Sequence, residues 1–164
     1  MSTDIKKKVL DILQDDCRVS VDQIALMLGQ NPDTIQTLID ELEQERIIVK
    51  YPAMINWDRF DDDLVTAMID VKVLPQRNVG FDQVAERIYN FPEVRSVALM
   101  SGGYDLSVII EGKSMKEVAL FVAQKLAVLE HVQSTATHFV LKRYKHDGVI
   151  LDKQEEDHRL VVSP

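Results

Sequence analysis

The apolar positions of the first sixty residues fall into three short helical stripes followed by one extended run. Ile5, Val9, Ile12 and Leu13 recur at helical spacing behind Asp4, which is expected to cap the first helix, and the pattern dissolves at Asp15, Asp16 and Cys17. Ser20-Val21-Asp22-Gln23 is a capping box that opens a second helix carrying Ile24, Ala25, Met27 and Leu28, and Gly29 offers its left-handed stop. Asn31-Pro32 pairs a cap with a proline at the first helical position, and Ile35, Leu38, Ile39 and Leu42 form the buried stripe of a third helix. Only Gln30 and Asn31 separate helices two and three, the spacing of a helix-turn-helix whose third helix enters the major groove of DNA. Ile47 to Tyr51 is then β-branched and extended, Pro52 interrupts it, and Ala53 to Asn56 resumes, which predicts a hairpin wing.

The pattern changes after residue 60. Asp61-Asp62-Asp63 reads as a solvated turn at a domain boundary, since three adjacent carboxylates do not converge on one ion in an extended chain. From Leu64 to Leu74 the chain alternates, with Val65, Ala67, Ile69, Val71 and Val73 on one face, and Pro75 ends the strand. Phe81, Val84, Ala85, Ile88 and Tyr89 give a helix closed before Pro92, and strands over 94–101 and 104–111 are joined across Gly102-Gly103. Ser114-Met115-Lys116-Glu117 is a second capping box, whose helix carries Val118, Ala119, Val122, Leu126 and Leu129 inward, and His131 to Lys145 is the last long strand. The order is βαββαβ, a ferredoxin-like unit, so the chain is an α+β protein with a winged helix-turn-helix ahead of it. Helices on one side leave the other sheet face bare; it would include Thr66, Met68, Ala98, Met100, Ser107, Ile109, Ala136, His138 and Val140, a surface suited to self-association. The expected domains are therefore residues 1–60, residues 61–146 and a tail over 147–164. In that tail Val149-Ile150-Leu151 would extend the sheet edge, while the charged Asp152 to Asp157 and the apolar Leu160-Val161-Val162 carry no assigned role.

Composition adds limits. With 164 residues, 46% hydrophobic and 28% charged, the chain can bury a core, which excludes disordered and collagen-like classes. No run approaches the roughly 18 apolar residues of a membrane span, and Lys6-Lys7-Lys8 is followed by only Val9 and Leu10 before Asp11, unlike a signal peptide. The expectation is a soluble, cytoplasmic chain with no membrane partner. The single Cys17 forms no internal disulfide and reads as a small thiol in a reducing compartment. His138 has no second histidine at ligand spacing, so neither a metal nor another cofactor is expected.

Charge bears directly on DNA. The net charge is −8, and residues 1–60 hold seven basic against eleven acidic side chains. The third helix turns Asp33, Thr34, Gln36, Thr37, Asp40 and Glu41 outward, with no lysine or arginine for phosphates or guanine edges. Binding to double-stranded DNA would then rely on polar readout by Thr34, Gln36 and Thr37, with Lys50 on the wing and Arg18 and Lys6 to Lys8 on the backbone. The same three-helix unit also serves as an interaction module.

Architecture and motifs together resemble one family. A winged helix-turn-helix joined to a βαββαβ domain, with Ser101-Gly102-Gly103-Tyr104-Asp105 at the second hairpin and Thr135 and Thr137 on the last strand, is similar to the Lrp/AsnC regulators, the leucine-responsive and asparagine (feast/famine) proteins. The likeness spans about residues 3 to 145 and includes Leu13 to Ser20, Leu42-Glu43 and Ile48-Val49-Lys50-Tyr51. Gly-x-Tyr-Asp over Gly102 to Asp105 is its most specific motif.

The resemblance implies a transcription regulator whose second domain is of the RAM (ACT-like) type. It implies dimers that associate into octamers or similar rings, an amino acid or related effector bound between dimers, and binding to promoter DNA that includes the chain's own. In such a pocket Gly102 and Gly103 leave backbone amides open to a ligand carboxylate, Asp105 would pair with an α-ammonium, Thr135 and Thr137 add hydroxyls, and Ser101 and Tyr104 belong to the same loop. The alternative is that the glycines only make a turn and Asp105 only orders it. One departure concerns the third helix, where the family usually shows an arginine or two and this chain has Thr37, Asp40 and Glu41. That leaves room for a metabolite-sensing or interaction module with weak or lost DNA binding. Siroheme decarboxylases share the architecture, but use histidine and arginine around the second hairpin; Ala98 to Tyr104 contains neither, so no enzyme is expected.

Overall fold

The computed structural model describes residues 3–60, 64–74 and 80–151, and the chain divides into one unit over Met1–Ile55 and another over Asn56–Pro164. In the first unit, local polar groups set the helix ends. Helix α1 (Thr3–Asp15) begins before Asp4, so Asp4 is not its cap; instead Asp4 sits in the first turn and pairs with Lys8 at 2.7 Å. Ser20 caps α2 (Val21–Leu28) in a complete capping box, and Gly29 closes it at φ 62°. Asn31 accepts a hydrogen bond from the Asp33 N–H at 2.8 Å and starts α3 (Pro32–Gln44). Val9, Ile24, Ala25, Ile35, Leu38, Ile39 and Leu42 are buried together between the three helices, each large one contributing about 1.5–3 kcal/mol.

The expected hairpin wing does not form. The N–H groups of Ile47 and Ile48 both donate to the Leu42 carbonyl, at 2.9 and 3.0 Å, and residues 49–56 run on without strand pairing. Pro52 has no N–H for a ladder, and the side chains of residues 49–55 are exposed, so no apolar face rewards pairing. One side-chain tie replaces the ladder: Tyr51 Oη donates to Glu43 at 2.7 Å, and partial burial with that bond pushes the phenol up to about 12.

The second unit contains β1 (Val65–Val73), α4 (Phe81–Tyr89), β2 (Val94–Leu99), β3 (Leu106–Gly112), α5 (Met115–Phe121) and β4 (Val132–Phe139). The four strands form one antiparallel sheet in the order β2-β3-β1-β4. Ala67, Ile69, Val71 and Val73 of β1 meet Val84 and Ile88 of α4 and Val118 and Phe121 of α5 in a dry core. Ser114 caps α5, but Glu117 closes the box one residue early, accepting from the Lys113 N–H at 2.7 Å. A π-turn over Val122–Leu126 continues the helix and sets Lys125 over the rings of Phe91 and Phe121, where it also binds Glu93.

The last strand is shorter than expected, ending at Phe139. Among the described residues the segment beyond it does not extend the sheet edge: β5 (Lys145–His146) and β6 (Val149–Ile150) pair only with each other. Asp147 and Gly148, at φ 41° and 83°, make the turn a two-residue ribbon requires. The acidic run 61–63, Pro75 and residues 152–164 lie outside the described residues.

The open sheet face follows from the register. Met68 lies between Ile109 and His138, and Asp70 between Ser107 and Ala136. Met68 is 44% exposed at the centre of that face. A contact of His138 Nε2 with Asp70 at 3.4 Å and an ion pair of Arg95 with Glu111 at 2.6 Å flank it.

Candidate functional site

The first candidate surface is the exposed face of α3. Gly29 in the left-handed conformation turns the chain sharply between α2 and α3, and Gln36 and Thr37 lie exposed on α3 with Thr34 half-buried. Gln36 Nε2 donates to Asp40 Oδ1 at 2.7 Å, and Thr37 Oγ1 donates to the Asp33 carbonyl at 2.8 Å. No lysine or arginine occurs in Pro32–Gln44.

The cations assigned to the DNA backbone are unequally placed. Lys50 is exposed. Arg18 is 87% exposed at its side chain, but is held by Asp16 through two bonds of 3.0 Å. The arginine bonds hold the Asp16 carboxyl down at about 2. Lys6 reaches Glu41 at 3.3 Å and Glu45 at 3.8 Å, bracing α1 on α3, and Lys8 is taken by Asp4. Lys7 is exposed.

The second candidate surface is the loop between β2 and β3. The Met100 N–H donates to the Asp105 carbonyl at 2.8 Å and closes it. Ser101, Gly102, Gly103 and Tyr104 are exposed; Gly102 has φ 143°, open only to glycine, and a Cβ at either glycine would meet nothing within 4 Å. The loop is therefore accessible backbone. Asp105 points back into the sheet. Its Oδ2 accepts from the Val73 N–H at 2.9 Å and its Oδ1 from Lys72 Nζ at 3.1 Å. The backbone bond from Val73, then the lysine, hold its carboxyl below the usual aspartate range. Asp105 thus already has an ammonium partner, Lys72, which the sequence pattern did not single out; nothing in a lysine at the end of a strand signals that pairing.

Thr135 and Thr137 do not join this loop within one chain. They pair with Val71 and Ile69 on the helix-covered side of β1, whereas Lys72 lies on the open side opposite Ser134. Strand β1 also separates β4 from β3, two strand spacings or roughly 10 Å. Among the described residues no group of three or more histidine, cysteine, aspartate and glutamate side chains is placed to hold a metal, and no helix is long and apolar enough to cross a membrane.

Known proteins match both units. The family model of the Lrp/AsnC ligand binding domain matches residues 66–150, and that of the winged helix-turn-helix DNA-binding domain matches residues 2–49. The chain is 53% identical over 163 residues to the uncharacterized HTH-type transcriptional regulator YugG of Bacillus subtilis, covering 99% of this chain and 98% of that one. Among solved structures, the leucine response regulatory protein LrpA of Mycobacterium tuberculosis superposes with a TM-score of 0.76 at 20% identity, covering 89% and 97% of the two chains. The regulator NMB0573 of Neisseria meningitidis, solved as a complex with L-Met, has a TM-score of 0.71 at 22% identity and covers 93% and 98%. These two share the fold.

Proposed function

Since the chain belongs to the Lrp/AsnC family of transcriptional regulators, we propose that it is an oligomeric regulator that binds promoter DNA, its own included, through α3 and responds to an amino acid or closely related effector. The observation that carries this proposal is the tight Gly29 turn, which leaves Gln36 and Thr37 on a projecting helix face. Specificity comes from polar contacts by Thr34, Gln36 and Thr37, while Lys50 reaches phosphates and Arg18 does so on leaving Asp16. Few cations mean weak binding per copy, so assembly supplies avidity. The open sheet face around Met68 and Ile109 is the dimer surface, and dimers associate further, to octamers or similar rings.

The effector binds at the loop of Ser101 to Asp105. Its carboxylate meets the backbone amides of Gly102 and Gly103, Tyr104 covers it, and its ammonium displaces Lys72 from Asp105. Thr135 and Thr137 stand apart from that loop within one chain, facing the helix-covered side. The complex of the Neisseria neighbour with L-Met supports this class of ligand.

The test is fluorescence anisotropy of a labelled duplex from upstream of the gene, with each of the twenty amino acids added in turn. The expected result is binding that at least one amino acid shifts by fivefold or more; indifference to all of them would remove the effector class. One observation favours a second function, metabolite sensing without DNA: α3 carries Asp33, Asp40, Glu41 and Glu43 and no cation. In that case no duplex binds while the amino-acid response persists. No catalytic step is proposed, because Ala98 to Tyr104 offers no acid, base or nucleophile beyond Ser101 and the tyrosine.

A further inference from the structure

Gln36 and Asp40 lie one turn apart on the exposed face of α3, joined by a 2.7 Å hydrogen bond from Gln36 Nε2 to Asp40 Oδ1. An ionised carboxylate only accepts, so this bond fixes which way the amide faces: the NH2 group is toward Asp40 and Oε1 is away. One N–H is engaged. With Asp40 taking the N–H trans to Oε1, the second N–H lies beside Oε1, a donor and an acceptor in one plane.

That pair matches one base edge. Adenine presents N7 as acceptor beside the N6 amino donor in the major groove, whereas guanine presents two acceptors, N7 and O6. A glutamine free to rotate can offer its NH2 group to guanine as well. With the NH2 already tied to a carboxylate, that alternative sets Oε1 and Asp40 against O6, acceptor against acceptor. Thr37 does not compete for the amide, since its hydroxyl is turned to the Asp33 carbonyl at 2.8 Å.

We propose that Asp40 is a positioning residue that presets Gln36 to read adenine, giving an A·T preference at one base pair under each copy of α3. The proposal rests on the DNA-binding function proposed above. It also gives the acidic helix a use. Asp40 weakens attraction to every phosphate equally, so its charge lowers general affinity while its hydrogen bond sharpens the choice of base.

The test selects binders from a randomised duplex pool with the full-length protein and then measures Kd on single-base variants. Wild type is expected to prefer A·T over G·C about tenfold at one position per half-site. Gln36→Ala should abolish that preference and leave the other positions unchanged. Asp40→Ala should cut it to about threefold or less, with tighter binding overall because an acid is gone. Asp40→Asn can donate as well as accept, so it should lose much of the preference too. Glu41→Gln removes an acid from the same helix without touching the Gln36–Asp40 bond and should keep the preference while affinity rises, which separates positioning from charge. Full preference in Asp40→Ala, or enriched sequences with no adenine preference that depends on Gln36, would overturn the inference alone. A pool from which nothing is enriched at any salt would overturn the DNA-binding function and the inference with it.

Discussion

Asp105 ties the loop after β2 to the end of β1: its carboxylate accepts from the Val73 N–H at 2.9 Å and from Lys72 at 3.1 Å. Its own N–H donates to the Val71 carbonyl at 3.0 Å. The open loop of Ser101 to Tyr104 is therefore anchored at one end by the residue that also offers an ammonium site.

The anchor has a pH signature. The folded carboxyl titrates below the ordinary aspartate value, about 3.9 in an unfolded chain. Its contribution is thus fully present above about pH 4 and is lost as pH falls through the lower folded value. Asp105→Asn should flatten the decline in urea stability of the second unit across that acid range and lower its stability at neutral pH. Parallel curves for both proteins would show that the carboxylate does not anchor the loop.

A single substitution should release a phosphate contact. Asp16 holds Arg18 through two 3.0 Å bonds, so Asp16→Asn frees the guanidinium for DNA. Affinity is expected to rise several-fold and the slope of log K against log salt to steepen by about one. An unchanged slope would take Arg18 out of the DNA surface.

Gly29→Ala isolates a backbone cost. A Cβ there meets no atom within 4 Å, but φ is +62°, so the loss should be about 1–2 kcal/mol from conformation alone. Chemical denaturation of the helical unit checks it, and a change near zero would mean that the turn relaxes.

Self-association should depend on the bare sheet face. Met68 is 44% exposed between Ile109 and His138, and Met68→Lys is expected to weaken the dimer at least tenfold, about 1.4 kcal/mol, with the far-ultraviolet spectrum unchanged. Sedimentation velocity reads the mass; an assembly as large as wild type would place the interface elsewhere.

Much of the fold was legible because local chemistry and hydrophobic period agree. Ser20 with Gln23, Asn31 with Pro32, and the alternation of Val65 to Val73 each name an element that forms. The wing failed because β-branched residues such as Ile47 and Val49 predict extension, not pairing, and Pro52 withholds a donor. The helix-turn-helix face was legible from spacing, and Gln36 and Thr37 are exposed as expected. The loop between β2 and β3 was legible only in part. Glycine spacing marks an accessible turn, but the grip of Asp105 on Lys72 and Val73 is a contact across 32 or 33 residues, which no local pattern carries. Thr135 and Thr137 were assigned from resemblance, and register places them on the helix-covered side.

The proposed reading of DNA by the acidic α3 through polar contacts, with assembly supplying strength, is tested most directly by the Kd for the duplex upstream of the gene and for an unrelated duplex of equal length, measured across salt concentrations with the oligomer mass recorded in each buffer. The prediction is tighter binding of the upstream duplex by about a thousandfold or more at every salt, with a shallow salt slope and an intact oligomer. Equal affinities at every salt, with the oligomer intact, would contradict it.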